Sequence, residues 1–148
     1  MNRLSATLRH QPRRAAILDG VLEPGERFAA CLCNPPFHAS AAQARAGSQR
    51  KWRNLGHEGG RRPVLNFGGQ ASELWCAGGE AGFLTRLIAE SARHREACRW
   101  FTTLVSRADN LPALVEALRR VGASHRVIEM GQGNKRSRIL AWTFHRRA

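Results

Sequence analysis

The sequence predicts an α/β fold, namely the second half of a doubly wound sheet that ends in an antiparallel pair. Three observations favour this class: an apolar run that ends abruptly, amphipathic helical patterns that alternate with further apolar runs, and two final strands joined by a short basic loop. Strands that alternate with helices are typical of parallel α/β sheets. Two strands joined by so short a loop must instead be antiparallel.

The first strand is the apolar run over residues 28–33, FAACLC. Its lack of polar alternation predicts a strand buried on both faces. Pro35 and Pro36 cannot donate hydrogen bonds to a sheet, so the strand ends at about Asn34. Ligands bind at the carboxyl ends of strands in open α/β sheets. Asn34, Pro35, Pro36 and Phe37 are therefore expected at a functional edge.

Apolar periodicity and turn residues place the other elements within a single domain covering residues 1–148. Before the first long strand we expect a short strand over residues 4–8, a loop with a weak helical turn over 11–22 and a turn over 23–26. After it comes a long insert over 38–78, with a helix over 40–46. An excursion of this length beside a ligand crevice is typical of a substrate-gripping element.

Beyond the insert, the pattern predicts two helices and three strands. Gly79 and Glu80 open the first helix, and Asn110 caps the second, which stops near Gly122. The strands are expected over residues 98–106, 125–130 and 138–144, with a basic loop over 131–137.

The chain of 148 residues is strongly basic, with a formal net charge of +13 and a pI of about 11.6. This charge predicts a polyanionic partner, with nucleic acid as the first candidate. The alternative is a basic protein whose charges do not converge on one face. Clustering favours the nucleic-acid interpretation, since basic residues crowd the insert at Arg45, Arg50, Lys51, Arg53, Arg61 and Arg62 and a late loop at Lys135, Arg136 and Arg138.

Membrane insertion and metal binding are not predicted. No apolar run approaches the roughly 20 residues that span a bilayer, and the amino terminus lacks the apolar core of a secretory signal. We therefore expect a soluble, cytoplasmic protein. Of the four cysteines, only Cys31 and Cys33 are close in sequence, and they are expected to face opposite sides of their strand. Buried, reduced thiols are favoured over a zinc site.

The tetrapeptide Asn34-Pro35-Pro36-Phe37 resembles the catalytic motif of methyltransferases that modify an exocyclic planar nitrogen with S-adenosylmethionine as donor. The Asn34 side-chain oxygen and the Pro35 carbonyl would each accept one hydrogen of such an amine. Phe37 would stack on the base once it is swung out. The alternative is a strand that ends in a Pro-Pro turn, with Asn34 bonded to local backbone and Phe37 in the core.

Four segments resemble the ribosomal RNA large subunit methyltransferase F family: CNPPFHASAAQARAG, LNFGGQASELWCAGGE, WFTTLVSRADNLPAL and QGNKRSRILAWTF. The resemblance covers nearly all of the chain. It implies a Rossmann-like class I methyltransferase that modifies N6 of one adenine in 23S ribosomal RNA with S-adenosylmethionine. The partner would be that RNA or a large-subunit assembly particle.

The resemblance also implies roles for individual residues. Asn34, Pro35, Pro36 and Phe37 match the family's catalytic motif. Together with the basic clusters, the matching segments lead us to predict substrate-binding residues at the motif, in the insert and in or beside the late loop, namely Phe37, Lys51, Arg53, Asn66, Gln70, Trp75, Lys135 and Arg138.

The chain departs from the family at its amino terminus. A glycine-rich loop after a first strand and an acidic residue that ends a second normally hold the donor, and the sequence has neither. We therefore expect the donor-binding half to be missing, the chain to bind S-adenosylmethionine weakly or not at all, and the first strand to expose an apolar edge. A non-catalytic RNA-binding remnant and a protein-glutamine N-methyltransferase are the alternatives, although the basic charge argues against the second.

Overall fold

Two α-helices pack on one face of a four-stranded sheet in the computed structural model, which describes residues 5–36, 76–132 and 135–145. In chain order the elements are β1 (Phe28–Cys33), α1 (Gly79–Arg93), β2 (Cys98–Val105), a 3₁₀ helix (Ala108–Asn110), α2 (Leu111–Arg120), β3 (Ser124–Gln132) and β4 (Lys135–Thr143). The strand order is β1-β2-β4-β3, in which β1 and β2 are parallel and the other two pairs are antiparallel. The predicted α/β class and its final antiparallel hairpin are confirmed.

Helix α1 begins at the predicted residue because two glycines allow the chain to turn sharply there. Gly78 and Gly79 have φ angles of 79° and 60°, in the left-handed region that favours glycine. The helix then buries an apolar stripe at steps of three and four residues, formed by Leu84, Leu87 and Ile88. This stripe fixes which face of the helix meets the sheet.

Helix α2 starts after the 3₁₀ helix and buries Leu114 and Leu118 against the same core. Pro112 lies in its first turn, as predicted. Asn110 occupies the predicted N-cap position of this helix, but the side-chain bond that such a cap normally makes is absent. Its backbone angles are helical, and its side-chain amide N–H donates to the Glu80 carboxylate at 2.6 Å.

The core lies between the helices and one face of the sheet. Phe101 of β2 and Trp142 of β4 stack with their ring centroids 5.8 Å apart, and both are fully buried. On the opposite face, the alternating positions Leu32, Ile128 and Met130 stay exposed among the residues described. The sheet therefore has one covered face and one apolar face that the described residues leave uncovered.

Strand β1 has the predicted bounds, but the prediction that it is buried on both faces is wrong. Its only partner among the described residues is β2, and Leu32 is 85% exposed. This confirms the expected apolar edge. The expectation for Cys31 and Cys33 is also wrong, since residues two apart in a strand share a face. They pair with Phe101 and Thr103 and lie on the covered side.

The amino-terminal segment contains a turn but no described strand. Residues 5–8 form no strand, and Leu8 is 99% exposed, so the predicted strand over 4–8 is wrong for the part described. The turn over 23–26 is confirmed, because the Glu26 N–H donates to the Glu23 carbonyl at 3.2 Å.

The final hairpin is longer than predicted. Most of the predicted basic loop belongs to the strands, since Arg136 pairs with Gly131 and Lys135 pairs with Gln132. The predicted helix over 40–46 and almost all of the insert lie outside the described residues. No helix within the described ranges is long and apolar enough to cross a membrane.

Candidate functional site

Asn34 lies at the carboxyl edge of the sheet, where the parallel strands β1 and β2 end together. Its side chain is exposed, whereas the following Pro35 and Pro36 are buried. The Thr102 hydroxyl of β2 donates to the Cys31 carbonyl at 2.9 Å, which adds a side-chain bond to the main-chain pairing of the two strands. The Asn34 side chain is thus carried by a backbone that β2 holds in place and that the two following prolines restrict. The predicted position of Asn34 at this edge is confirmed.

The final hairpin brings basic residues to the same edge. Strand β2 ends at Val105, which pairs with Arg138 of β4. Three further pairs, from Met130 with Ser137 to Gln132 with Lys135, extend beyond the end of β2. At about 3.3 Å per residue, this hairpin tip (residues 130–132 and 135–137) projects about 10 Å past the strand.

The hairpin tip and Asn34 therefore flank the end of β2. β1 and β4 are the two neighbours of β2, so they lie about two strand spacings, or roughly 10 Å, apart. The motif after β1 and the basic segment near the carboxyl terminus are about 100 residues apart in sequence. The sheet order, which the sequence did not predict, is what brings them together.

The basic residues of the late cluster, of which Lys135 and Arg138 were predicted to bind substrate, have different surroundings. Arg136 is exposed on the hairpin tip, and Lys135 is the first residue of β4. The Arg138 side chain is only 14% exposed, and its Nε donates to Glu129 across the hairpin at 3.2 Å. The other predicted binding residues lie outside the described part of the chain, namely Phe37, Lys51, Arg53, Asn66, Gln70 and Trp75.

A buried carboxylate that the sequence did not identify as important organises the loop after β2. Glu80, in the first turn of α1, is 4% exposed. Its Oε1 accepts the Ser106 N–H at 2.7 Å, and its Oε2 accepts the Arg107 N–H at 3.3 Å and the Asn110 side-chain amide at 2.6 Å. The sequence shows that Glu80 lies in an acidic first turn, but it does not show that the carboxylate binds donors 26 to 30 residues further along the chain.

The thiols of β1 and β2 are unsuited to nucleophilic or metal chemistry. Burial raises the pKa of Cys33 and of Cys98 to about 11, and burial also raises the pKa of Cys31. A thiol with so high a pKa stays protonated at neutral pH, and the thiolate is the reactive form. Among the described residues, no cluster of three or more candidate ligands is arranged to hold a metal ion.

Solved structures with the same fold are methyltransferase domains. The hMettl16 catalytic domain in complex with the MAT2A 3′UTR hairpin 1 matches with a TM-score of 0.64 and 29% identity, covering 87% of this chain and 43% of that one. The N-terminal domain of human METTL16 in complex with SAH matches with a TM-score of 0.55 and 23% identity, covering 88% of this chain and 38% of that one. The fold is therefore part of a Rossmann-like methyltransferase domain.

The sequence comparisons identify the family. Residues 2–146 match the model of a family described as RNA methyltransferase. A curated relative, ribosomal RNA large subunit methyltransferase F of Pseudomonas putida, is 59% identical over 142 residues. The match covers 94% of this chain and 45% of that protein, so the chain spans about half the length of this relative. The chain belongs to this RNA methyltransferase family, which confirms the family predicted from the motifs.

Proposed function

We propose that the chain forms the RNA-facing part of an enzyme that transfers a methyl group from S-adenosylmethionine to N6 of an adenine in large-subunit ribosomal RNA. The observation that carries the proposal is the exposed Asn34, followed by two buried prolines, at the edge from which the basic hairpin tip projects. The name of the Pseudomonas putida relative supports the ribosomal substrate, and the SAH complex of the METTL16 domain is consistent with the donor.

The chemistry depends on orienting a poor nucleophile. The lone pair of an adenine N6 amine is delocalised into the ring, so the amine must be held in a reactive geometry. The Asn34 Oδ1 and the Pro35 carbonyl would each accept one N6 hydrogen. These contacts would localise the lone pair and stabilise the positive charge that develops on nitrogen as the N–C bond forms and the methyl–sulfur bond of the donor breaks, with the thioether of the donor as leaving group. The amine then loses one proton to solvent.

S-adenosylmethionine supplies an electrophilic methyl group, but the described residues provide no recognisable site for it. Gly78 and Gly79 open α1 and do not follow a described strand, so they do not form the strand-loop-helix arrangement that holds a dinucleotide-like donor. The roles assigned to the described residues therefore concern the adenine and the RNA, and none of these residues is given a donor-binding role.

The basic hairpin tip supports RNA rather than protein as the acceptor. Arg136 is exposed on this tip, and its guanidinium would provide a phosphate contact of the kind that dominates the affinity of nucleic-acid-binding proteins. Phe37 is the residue we expect to stack on the extruded base. We place the protein in the cytoplasm, where it would act on 23S ribosomal RNA either free or in an assembly particle.

A chimera tests the proposal. This chain would replace the matching segment of the Pseudomonas putida relative, so that the rest of that protein supplies the remaining part of the domain. Incubation with labelled S-adenosylmethionine and large-subunit ribosomal RNA should yield N6-methyladenine in the RNA. The unmodified relative serves as the positive control. Label found only in protein would overturn the RNA assignment and favour the glutamine alternative.

Substitution of Asn34 separates catalysis from binding. Asn34→Ala removes the side-chain acceptor and should lower methyl transfer by about 100-fold or more, the usual effect of losing an oriented polar contact in a transition state. Asn34→Asp keeps an acceptor oxygen and should retain more activity than the alanine variant. Both variants should bind RNA as the parent does. A parent chimera that binds RNA but never transfers methyl groups would favour the non-catalytic alternative.

A further inference from the structure

Arg107 occupies a position at the functional edge that neither the motif nor the basic clusters indicated. It follows the end of β2 by two residues, and β2 is the strand between β1 and β4. Its side chain is exposed, and the ion pairs found within the described residues do not include it. The Arg107 main chain therefore lies beyond the end of the strand between β1 and β4, and its exposed side chain carries a positive charge at this edge of the sheet.

The main chain at Arg107 is held in place by the Glu80 carboxylate. Glu80 binds the N–H groups of both Ser106 and Arg107, and the Asn110 amide completes the set. Three donors to one buried carboxylate are a strong restraint, because hydrogen bonds to charged groups are roughly twice as strong as neutral ones. The loop over residues 106–110 is consequently fixed to the start of α1.

Glu90 provides an internal comparison on the same helix. It is 2% exposed and accepts main-chain N–H groups from Ile17, Leu18 and Asp19. Like Glu80, it uses a buried carboxylate to fasten a loop to α1. The loop that it fastens belongs to the amino-terminal segment, whereas the loop held by Glu80 follows the end of β2, the strand beside β1. The two carboxylates are thus chemically alike but differ in what they position.

We infer that Arg107 contacts a phosphate next to the target adenine, and that Glu80 is the positioning residue that holds Arg107 there. The inference rests on the proposed function, since it takes RNA as the ligand. A base swung out toward Asn34 carries its own backbone with it, and a flanking phosphate on the β2 side of Asn34 would lie over the end of that strand. A guanidinium is suited to that contact because it donates two parallel hydrogen bonds to phosphate oxygens.

Salt-dependent RNA binding by the chain tests the role of Arg107 without requiring methyl transfer. For a single-stranded phosphate contact, Arg107→Gln should reduce the slope of log affinity against log salt by about 0.7. Arg107→Lys keeps the charge and should retain the parent slope. Arg99→Gln is the matched control, because Arg99 is an exposed arginine at the opposite end of the same strand. An equal reduction in both glutamine variants, or none in either, would overturn the inference.

The role of Glu80 is tested by comparing Glu80→Gln with Glu90→Gln at a temperature where both are folded. In each variant the glutamine N–H₂ group faces main-chain N–H donors in place of an acceptor oxygen. The two variants should therefore be destabilised by similar amounts relative to the parent. Only Glu80→Gln should weaken RNA binding, by about fivefold, the equivalent of about one net hydrogen bond. It should also speed amide exchange at Ser106 and Arg107. Equal RNA affinity in the two variants would overturn the positioning role.

Failure of this inference is distinguishable from failure of the proposed function. Methyl transfer by the chimera tests the reaction, whereas the slope tests a single contact. A methylating chimera with an unchanged Arg107→Gln slope removes Arg107 from the site and leaves the reaction in place. A chimera that binds RNA with the expected slopes but transfers no methyl group would overturn the proposed reaction and keep Arg107 as a phosphate contact.

Discussion

Trp142 of β4 donates its indole N–H to the Ser91 hydroxyl of α1 at 2.9 Å, and both side chains are fully buried. The same hydroxyl donates to the Ile88 carbonyl at 2.8 Å. The indole ring meanwhile stacks on Phe101. A satisfied polar contact therefore joins the sheet to the helix inside an otherwise apolar core, and its geometry sets how the two layers are aligned.

Ser91→Ala should destabilise the protein by about 1 to 3 kcal/mol, because it leaves the buried Trp142 N–H without its acceptor. Thr85→Ala is the matched control. The Thr85 hydroxyl also donates to a carbonyl of the same helix, that of Ala81, at 2.9 Å, but Thr85 is exposed. Its replacement should change stability by no more than about 0.5 kcal/mol. Urea unfolding of both variants measures the difference, and equal values would show that the indole contact contributes nothing.

Features that depend on local chemistry were predictable from the sequence. The end of β1 is set by Pro35 and Pro36, which cannot continue a sheet, and the start of α1 is set by a glycine pair. The spacing of Leu84, Leu87 and Ile88 likewise defines the buried face of the helix without reference to the rest of the chain. The placement of Asn34 at the carboxyl edge follows from the same local rules.

Features that depend on distant partners were not predictable. The burial of β1 depends on which strands lie beside it, and the described residues supply only β2. Asn110 has a typical capping side chain, but its backbone angles are helical, and its amide N–H donates to Glu80, which lies 30 residues away in the sequence. The contribution of the hairpin tip to the site follows from the strand order, because only that order places β4 next to β2.

Acid should destabilise the protein through the amino-terminal segment. The Arg9 guanidinium makes two hydrogen bonds to the Glu26 carboxylate, each 2.6 Å long. Chiefly for this reason the pKa of Glu26 falls from 4.5 to about 2. A carboxylate whose pKa is lower in the folded state contributes stability that is present above pH 4.5 and is lost as the pH falls toward about 2.

Glu26→Gln should therefore flatten the dependence of the unfolding free energy on pH between 4.5 and about 2. Glu23→Gln is the matched control, since the Glu23 carboxylate lies 3.7 Å from the same guanidinium but its side chain is 70% exposed. It should leave the pH dependence near that of the parent, because exposed ion pairs contribute little. Thermal unfolding at several pH values measures both, and parallel curves for parent and Glu26→Gln would contradict the prediction.

The buried thiols should resist alkylation in the native protein. Cys33 and Cys98 have pKa values raised by burial to about 11, so at pH 8 their thiolate fraction is about 100-fold below that of an ordinary cysteine of pKa 9.0. Iodoacetamide at pH 8 should leave both unmodified while labelling them rapidly in urea, as peptide mass spectrometry would show. Fast native labelling of Cys33 would mean that the end of β1 opens readily from β2.

The apolar edge of β1 should drive self-association of the isolated chain. Leu32 is 85% exposed on a strand whose other edge has no partner among the described residues, and such an edge is a template for pairing with another chain. Leu32→Lys places a charge there and should lower the concentration-dependent association seen by sedimentation velocity, without loss of folded stability. Leu8→Lys is the control, because Leu8 is 99% exposed but lies outside the sheet. Equal effects of the two substitutions would attribute association to net charge rather than to the edge of β1.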